Sequence, residues 1–326
     1  SSSGLVLALA FLPLLSEVAV VTLAGAYVLD VSWRWAFLLA SLTAPMSPLV
    51  VMWTALQLRL ADLGTPTAVC SLLLVVCALD WAAGLCLSGV ALKGAMQTES
   101  WSSVASGFAE LISGILLGSV FGFFSIYVPN EHNVHATFYR VEMLLAVNVC
   151  FVVLFHYFMG MPAIGYLSAF TTACTTLRTM MSLSWLILEP LTMSIVGPHI
   201  MVSRLGGWRQ LRYIGVLFTG LATRLVVSAL CCLKSSRHYS ERSFICIAFI
   251  PKGTIQLVSC SLTLSRALSE SSDKAMGELM MDCCTLALLL TGPLGSLLSS
   301  LTAPRLLRHR QPRSSFLELQ EPDMSF

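Results

Sequence analysis

An all-α, multi-pass membrane bundle is the fold class this sequence predicts, on three observations. Of its 326 residues, 56% are hydrophobic and 11% charged, whereas an average soluble domain carries about 25% charged residues. The mean hydropathy is +0.80. The apolar residues also fall into long continuous runs. A hydrocarbon core about 30 Å thick takes about 20 helical residues to cross, and in lipid only helices or closed barrels satisfy their own backbone hydrogen bonds. Runs this long and unbroken are helices, not barrel strands.

By that length rule about ten spans follow in order: Leu5 to Val28, Trp35 to Leu56, Thr67 to Leu92, Val104 to Val128, Met143 to Met159, Pro162 to Met181, Trp185 to Val202, Ile214 to Leu233, Phe244 to Leu268 and Leu279 to Leu301. The segments between them are short and polar, among them Asp30 to Arg34, Arg204 to Arg212 and Lys234 to Arg242. None has room for a second soluble domain, so the expected organisation is a membrane domain over 1–308 and a tail over 309–326. Trp33, Trp35, Trp53, Trp101, Tyr127 and Tyr139 sit near span ends, where interfacial anchors belong. Arg305, Arg308, Arg310 and Arg313 predict a cytoplasmic tail, because short cytoplasmic segments collect Lys and Arg. Counting back puts Lys234 to Arg242 on the same side and the three arginines of Arg204 to Arg212 on the other, against the rule.

Composition excludes other classes. Nineteen Lys and Arg against 17 Asp and Glu leave +2, with no dense basic patch for nucleic acid. The eleven cysteines lie in apolar runs and read as small hydrophobes. The adjacent pairs Cys231-Cys232 and Cys283-Cys284 lack the spacing and the histidines of a zinc site, and neither a metal nor any other cofactor is expected. His132, His135 and His156 are too scattered to nominate an enzyme site, so the chain is not expected to be an enzyme.

Function is read from charge inside the spans. An ionisable residue at a span's centre costs about 2.5–3.5 kcal/mol on insertion scales, and needs a partner or an aqueous path. Five qualify: Glu17, Asp80, Glu189, Arg224 and Lys252. Singly, each could snorkel or form a structural ion pair. Together, three acids and two bases predict a polar interior and an ion or proton pathway. Pro251 and Gly253 flank Lys252, removing a backbone donor and loosening the helix there, and transporters place such breaks at their substrate sites.

The stretches FIPKGTIQLVSCSLTLSRAL, GLATRLVVSAL, GFAELISGILLGSVFGFFSIYVP, SWLILEPLTMSIVG, APMSPLVV and MDCCTLALLLTGPLGSLLSSLTAPRLL resemble the animal NHA group of sodium/proton antiporters, in the cation/proton antiporter superfamily. The resemblance runs from about Glu17 to Arg308, and it implies that further helices precede this segment. It implies an inverted-repeat bundle with crossed, broken helices, exchange of Na+ or Li+ against H+ by alternating access in a lipid membrane, and a homodimer. It places Glu17 on the family's acid of the first crossing helix and Asp80 on the first acid of its Asp-Asp pair, the two being the expected ion-binding residues. It places Arg224 and Lys252 on the charge-compensating positions, and Pro251 and Gly253 on the helix break. At the second Asp of that pair the chain has Trp81, whose indole gives a hard cation no oxygen ligand. The alternative expectation is therefore a transport-impaired relative acting as a regulatory or dimerising subunit.

Overall fold

The computed structural model describes residues 2–60, 66–96, 196–235, 238–269 and 274–307, with isolated positions between 105 and 194. Every regular element among the described residues is helical. Among the described residues four helices are long and apolar enough to cross a membrane: α1 (Ser2–Val28), α4 (Pro66–Met96), α5 (Trp208–Leu233) and α8 (Lys274–Leu306). The other four are halves of two interrupted crossings, α2 (Trp33–Thr43) with α3 (Pro48–Leu60), and α6 (Tyr239–Ala248) with α7 (Thr254–Ser269). At 1.5 Å per residue the halves are about 15–24 Å long, so each pair crosses what neither half could. Two 3-10 turns, Gly197–His199 and Val202–Arg204, precede α5.

The break in the second pair falls on Phe249 to Gly253, where Pro251 and Gly253 predict it. The span expected as one helix over Trp35 to Leu56 is also two helices, interrupted at Ala44 to Ser47. Pro45 and Pro48 end the one and start the other: proline cannot continue a helix from within but suits its first turn. The turns Val202–Arg204 and the start of α5 at Trp208 likewise convert most of the expected loop Arg204 to Arg212 into regular structure. Most of the spans expected between Val104 and Met181, and Glu189 itself, lie outside the described residues.

Direction follows from the connections. α1 ends and α2 begins at one face of the bundle, here the first face. Asp30 closes that turn with a φ of 54°, the left-handed region that Asp tolerates better than most residues. Arg212 Nη1 donates to Val28 O at 2.8 Å and to Asp30 Oδ2 at 3.3 Å, which fixes the start of α5 on the same face. From there α5 runs to the second face, α6 and α7 return, and α8 runs back to it. Helix, broken helix, helix thus occurs twice, with α1 and α5 antiparallel: an inverted repeat of the kind transporters build on.

The outer surface is apolar. Leu12, Leu23, Phe218, Val226, Leu289 and Leu297 are exposed on α1, α5 and α8, as side chains facing lipid should be. The polar residues are inside, with Glu17, Asp80, Arg224 and Lys252 each at most 1% exposed. With four such helices the chain is an integral, multi-pass membrane protein.

Candidate functional site

The two interruptions lie against each other. Ser47 N–H donates to Pro251 O at 3.1 Å, backbone to backbone across the crossing. A methyl group on Gly253 would stand 2.0 Å from Ser47 Oγ and 2.5 Å from its Cβ, so only glycine lets the segments approach this closely. Gly253→Ala is expected to cost about 1–3 kcal/mol by overpacking, read as a lower melting temperature in detergent; an unchanged melt would mean that the crossing is loose.

Each unwound proline is received by a glycine on the long helix that follows. A Cβ on Gly84 would meet Pro45 Cγ at 2.0 Å, and one on Gly295 would meet Pro251 Cβ at 2.7 Å. Four residues before each glycine stands the group that takes the backbone donor after each proline. Asp80 Oδ2 accepts from Met46 N–H at 2.7 Å, and Thr291 Oγ1 accepts from Lys252 N–H at 3.1 Å. Thr291 is therefore the repeat counterpart of Asp80, one neutral and the other charged.

Interrupting a helix leaves carbonyls at one stump and amides at the other, with partial charges of opposite sign. The carbonyl of Ala44, at the end of α2, accepts from both Arg224 Nη1, at 2.6 Å, and Lys252 Nζ. The amide of Met46, just before α3, faces the Asp80 carboxylate.

Four charges close the network. Arg224 Nη1 donates to Glu17 Oε2 at 2.7 Å, and Arg224 Nη2 donates to Asp80 Oδ1. Lys252 Nζ donates to Glu17 Oε1 at 2.8 Å and Oε2 at 3.0 Å. Two acids and two bases leave no net charge, which is the arrangement that makes ionised groups tolerable away from water. Close approach of α1 and α5 permits it: a Cβ on Gly220 would meet Val21 Cγ2 at 2.4 Å and Glu17 Cγ at 3.4 Å.

Of the five charged residues nominated from sequence, Glu17, Asp80, Arg224 and Lys252 meet here, together with Pro251 and Gly253, while Glu189 lies outside the described residues. Two contributors, Gln256 and Thr291, were not nominated, nor was a further buried acid, Asp282, at the first-face end. Gln256 ties the stumps together, its Nε2 donating to Pro45 O at 2.5 Å and its Oε1 accepting from Gly253 N–H at 2.6 Å. It stands in the P-K-G-T-I-Q run, where an amide in the middle of the expected span Phe244 to Leu268 was a legible sign. Thr291 has no such signal. Asp282, 3% exposed, accepts from Gln210 Nε2 at 3.0 Å at the first-face end, near the Arg204–Glu278 ion pair. It reads from sequence as a charge at a span end. Among the described residues no group of three or more His, Cys, Asp or Glu side chains is set to hold a metal ion.

This arrangement of inverted repeats and crossed, broken helices is a fold found in a solved sodium proton antiporter. The structure superposes on the sodium proton antiporter MjNhaP1 of Methanocaldococcus jannaschii with a TM-score of 0.68 over 94% of this chain and 80% of that one, at 14% identity. In sequence the chain is a relative of the sodium/hydrogen exchangers 9B, which upholds the resemblance to the animal NHA group. It is 26% identical to sodium/hydrogen exchanger 9B2 of Homo sapiens over 331 residues, 97% of this chain and 61% of that protein. It is 27% identical to exchanger 9B1 of Macaca fascicularis over 324 residues, 94% of this chain and 62% of that protein. The chain thus spans about three-fifths of the length of these relatives. No protein-family profile matches it.

Proposed function

We propose that the chain is the exchanger domain of a secondary transporter that moves Na+ or Li+ against H+ by alternating access, with Asp80 and Glu17 as its ion-binding acids and Arg224 and Lys252 as their compensating bases. The observation that carries this reading is the neutral four-charge network at the contact of two unwound segments. Asp80 accepts one bond from Met46 and one from Arg224, whereas an ionised carboxylate offers about four lone-pair sites. It therefore keeps capacity for a proton or a cation. Either adds one positive charge to a neutral cluster, and both together would leave two uncompensated charges in a dry interior, so the species compete. Competition at one acid, followed by rocking of one repeat against the other, couples the two fluxes. We further propose a homodimer and a cytoplasmic tail over 309–326.

Trp81 favours a second reading, a transport-impaired subunit that dimerises with or regulates a competent partner. Sodium prefers several oxygen ligands, and the residue beside Asp80 supplies none.

Purified protein in liposomes, loaded with a pH-sensitive dye and given a Na+ or Li+ gradient, separates the two. The first reading expects a cation-driven pH change. The second expects none from the native chain and its appearance on Trp81→Asp. A silent native chain that Trp81→Asp leaves silent would overturn exchange altogether.

A further inference from the structure

Beside the crossing, on its first-face side, is a small pocket between α2, α4 and α7. Ser41, Pro45, Trp81, Ser88, Gln256 and Ser259 are among its lining residues, and its volume is about 10 Å³. That is close to the least space that holds one water. The pocket backs onto the segment that presents Met46 N–H to Asp80, and Trp81 is the next residue after Asp80 on α4. The pocket thus lies on the first-face side of the acid and next to it along α4.

The free hydrogen-bonding capacity of this pocket is specific. Ser41 Oγ spends its proton on Leu38 O at 2.8 Å, and Ser88 Oγ on Leu85 O at 2.9 Å, so each hydroxyl offers lone pairs only. Gln256 is engaged at both ends of its amide. The Trp81 indole N–H is buried and has no partner among the described residues. A buried indole N–H without a partner and spare hydroxyl lone pairs in the lining of one pocket suit a single water, which both accepts and donates. The pocket is a poor match for a sodium ion, which would need several converging oxygens and more room.

We infer that Trp81 is a selectivity plug: it narrows the first-face approach to Asp80 to the width of one water, passing water and protons and holding back a hydrated monovalent cation. This rests on the reading of Asp80 as the exchanging acid only for its consequence in transport. The plug itself is a statement about access. It also gives the indole at this position a positive role, with the N–H binding the gating water and the ring filling the cation's path. Replacing Trp81 by a small side chain should join the pocket to bulk water.

The test reads access and transport separately. Ser88→Cys is placed in the native chain and in Trp81→Ala, each reconstituted in liposomes and treated with the cationic thiol reagent 2-(trimethylammonium)ethyl methanethiosulfonate. Modification at position 88 is then followed by peptide mass spectrometry. Labelling is expected to be slow with Trp81 in place and about tenfold faster or more with Trp81→Ala, as for a half-buried site passing to open water contact. Trp81→Leu, which keeps apolar bulk, should fall between them. Cys283, fully buried on α8, reports intact packing by staying unlabelled. Should Trp81→Ala expose Cys283, the comparison is decided on Trp81→Leu, whose labelling must then exceed that of the native chain. Equal labelling with and without Trp81, or no labelling in any variant, would overturn the plug. In the same vesicles a sodium-driven pH change that Trp81→Ala speeds up supports both plug and exchanger. Faster labelling with no sodium-driven change in any variant would leave the plug standing and remove the exchange reading.

Discussion

Arg224→Met should be the most damaging single substitution in the chain, at about 3–5 kcal/mol, the cost of removing one partner from a buried ion network. Its guanidinium serves both acids and the α2 stump at once, through Glu17 Oε2, Asp80 Oδ1 and Ala44 O. Methionine fills much of the same volume, so packing is largely kept while the charge count falls from balanced to one surplus negative. Glu17 retains Lys252. Asp80 is left with only the Met46 amide among its described partners, and it is Asp80 that carries the surplus. Arg224→Lys should restore charge and yet recover only part of the loss, because an ammonium cannot present two parallel donors to two carboxylates. Thermal unfolding in detergent, followed by aggregation or by thiol exposure, checks both. If Arg224→Met melts with the native chain, the four charges do not form one network.

How much of this was legible in the sequence depends on where lipid makes polar groups expensive. Glu17, Asp80, Arg224 and Lys252 each interrupt an otherwise apolar run, and the energetic penalty that makes them stand out is the same one that drives them together at the centre. Pro251 and Gly253 marked their break for the same reason. The break at Ala44 to Ser47 was hidden because Ala, Met and Ser are tolerated in a spanning helix, so hydropathy runs on through it. Only Pro45 and Pro48 signal it, and a proline in a membrane helix is often just a kink. Inversion of the repeats was not readable from composition at all. It appears in pairs that need coordinates to recognise: Gly84 on Pro45 beside Gly295 on Pro251, and Asp80 beside Thr291. With the tail on the cytoplasmic side, as proposed, the arginines of Arg204 to Arg212 run against the loop-charge rule, and two of them do structural work at the first face, Arg204 with Glu278 and Arg212 with Val28 and Asp30. Charges spent on holding helices together carry less weight in setting orientation.

Asp80→Asn should leave the fold nearly intact and abolish exchange, and the geometry says why the two effects part. Asparagine matches aspartate in size, and its carbonyl oxygen can still accept from Met46 N–H, so the contact between α4 and the unwound segment survives. Its amide would face Arg224 donor to donor. Arg224 then turns to Glu17 and Ala44 O, which already hold its other nitrogen. The expected stability loss is about 1–3 kcal/mol, that of one polar group left unsatisfied. Electrostatically the change is larger. The network goes from neutral to one surplus positive charge before any ion arrives, so a cation entering would meet repulsion, and position 80 no longer holds a carboxylate to give up a proton in exchange. Glu17→Gln makes a useful contrast: it also removes one negative charge, but from an acid that accepts from both Arg224 and Lys252, so it should lower melting temperature more than Asp80→Asn does. Cation-driven pH change in liposomes should therefore vanish in Asp80→Asn protein that still melts cooperatively. Exchange at the native rate in that variant would remove Asp80 from the ion site, whatever the network contributes to the fold.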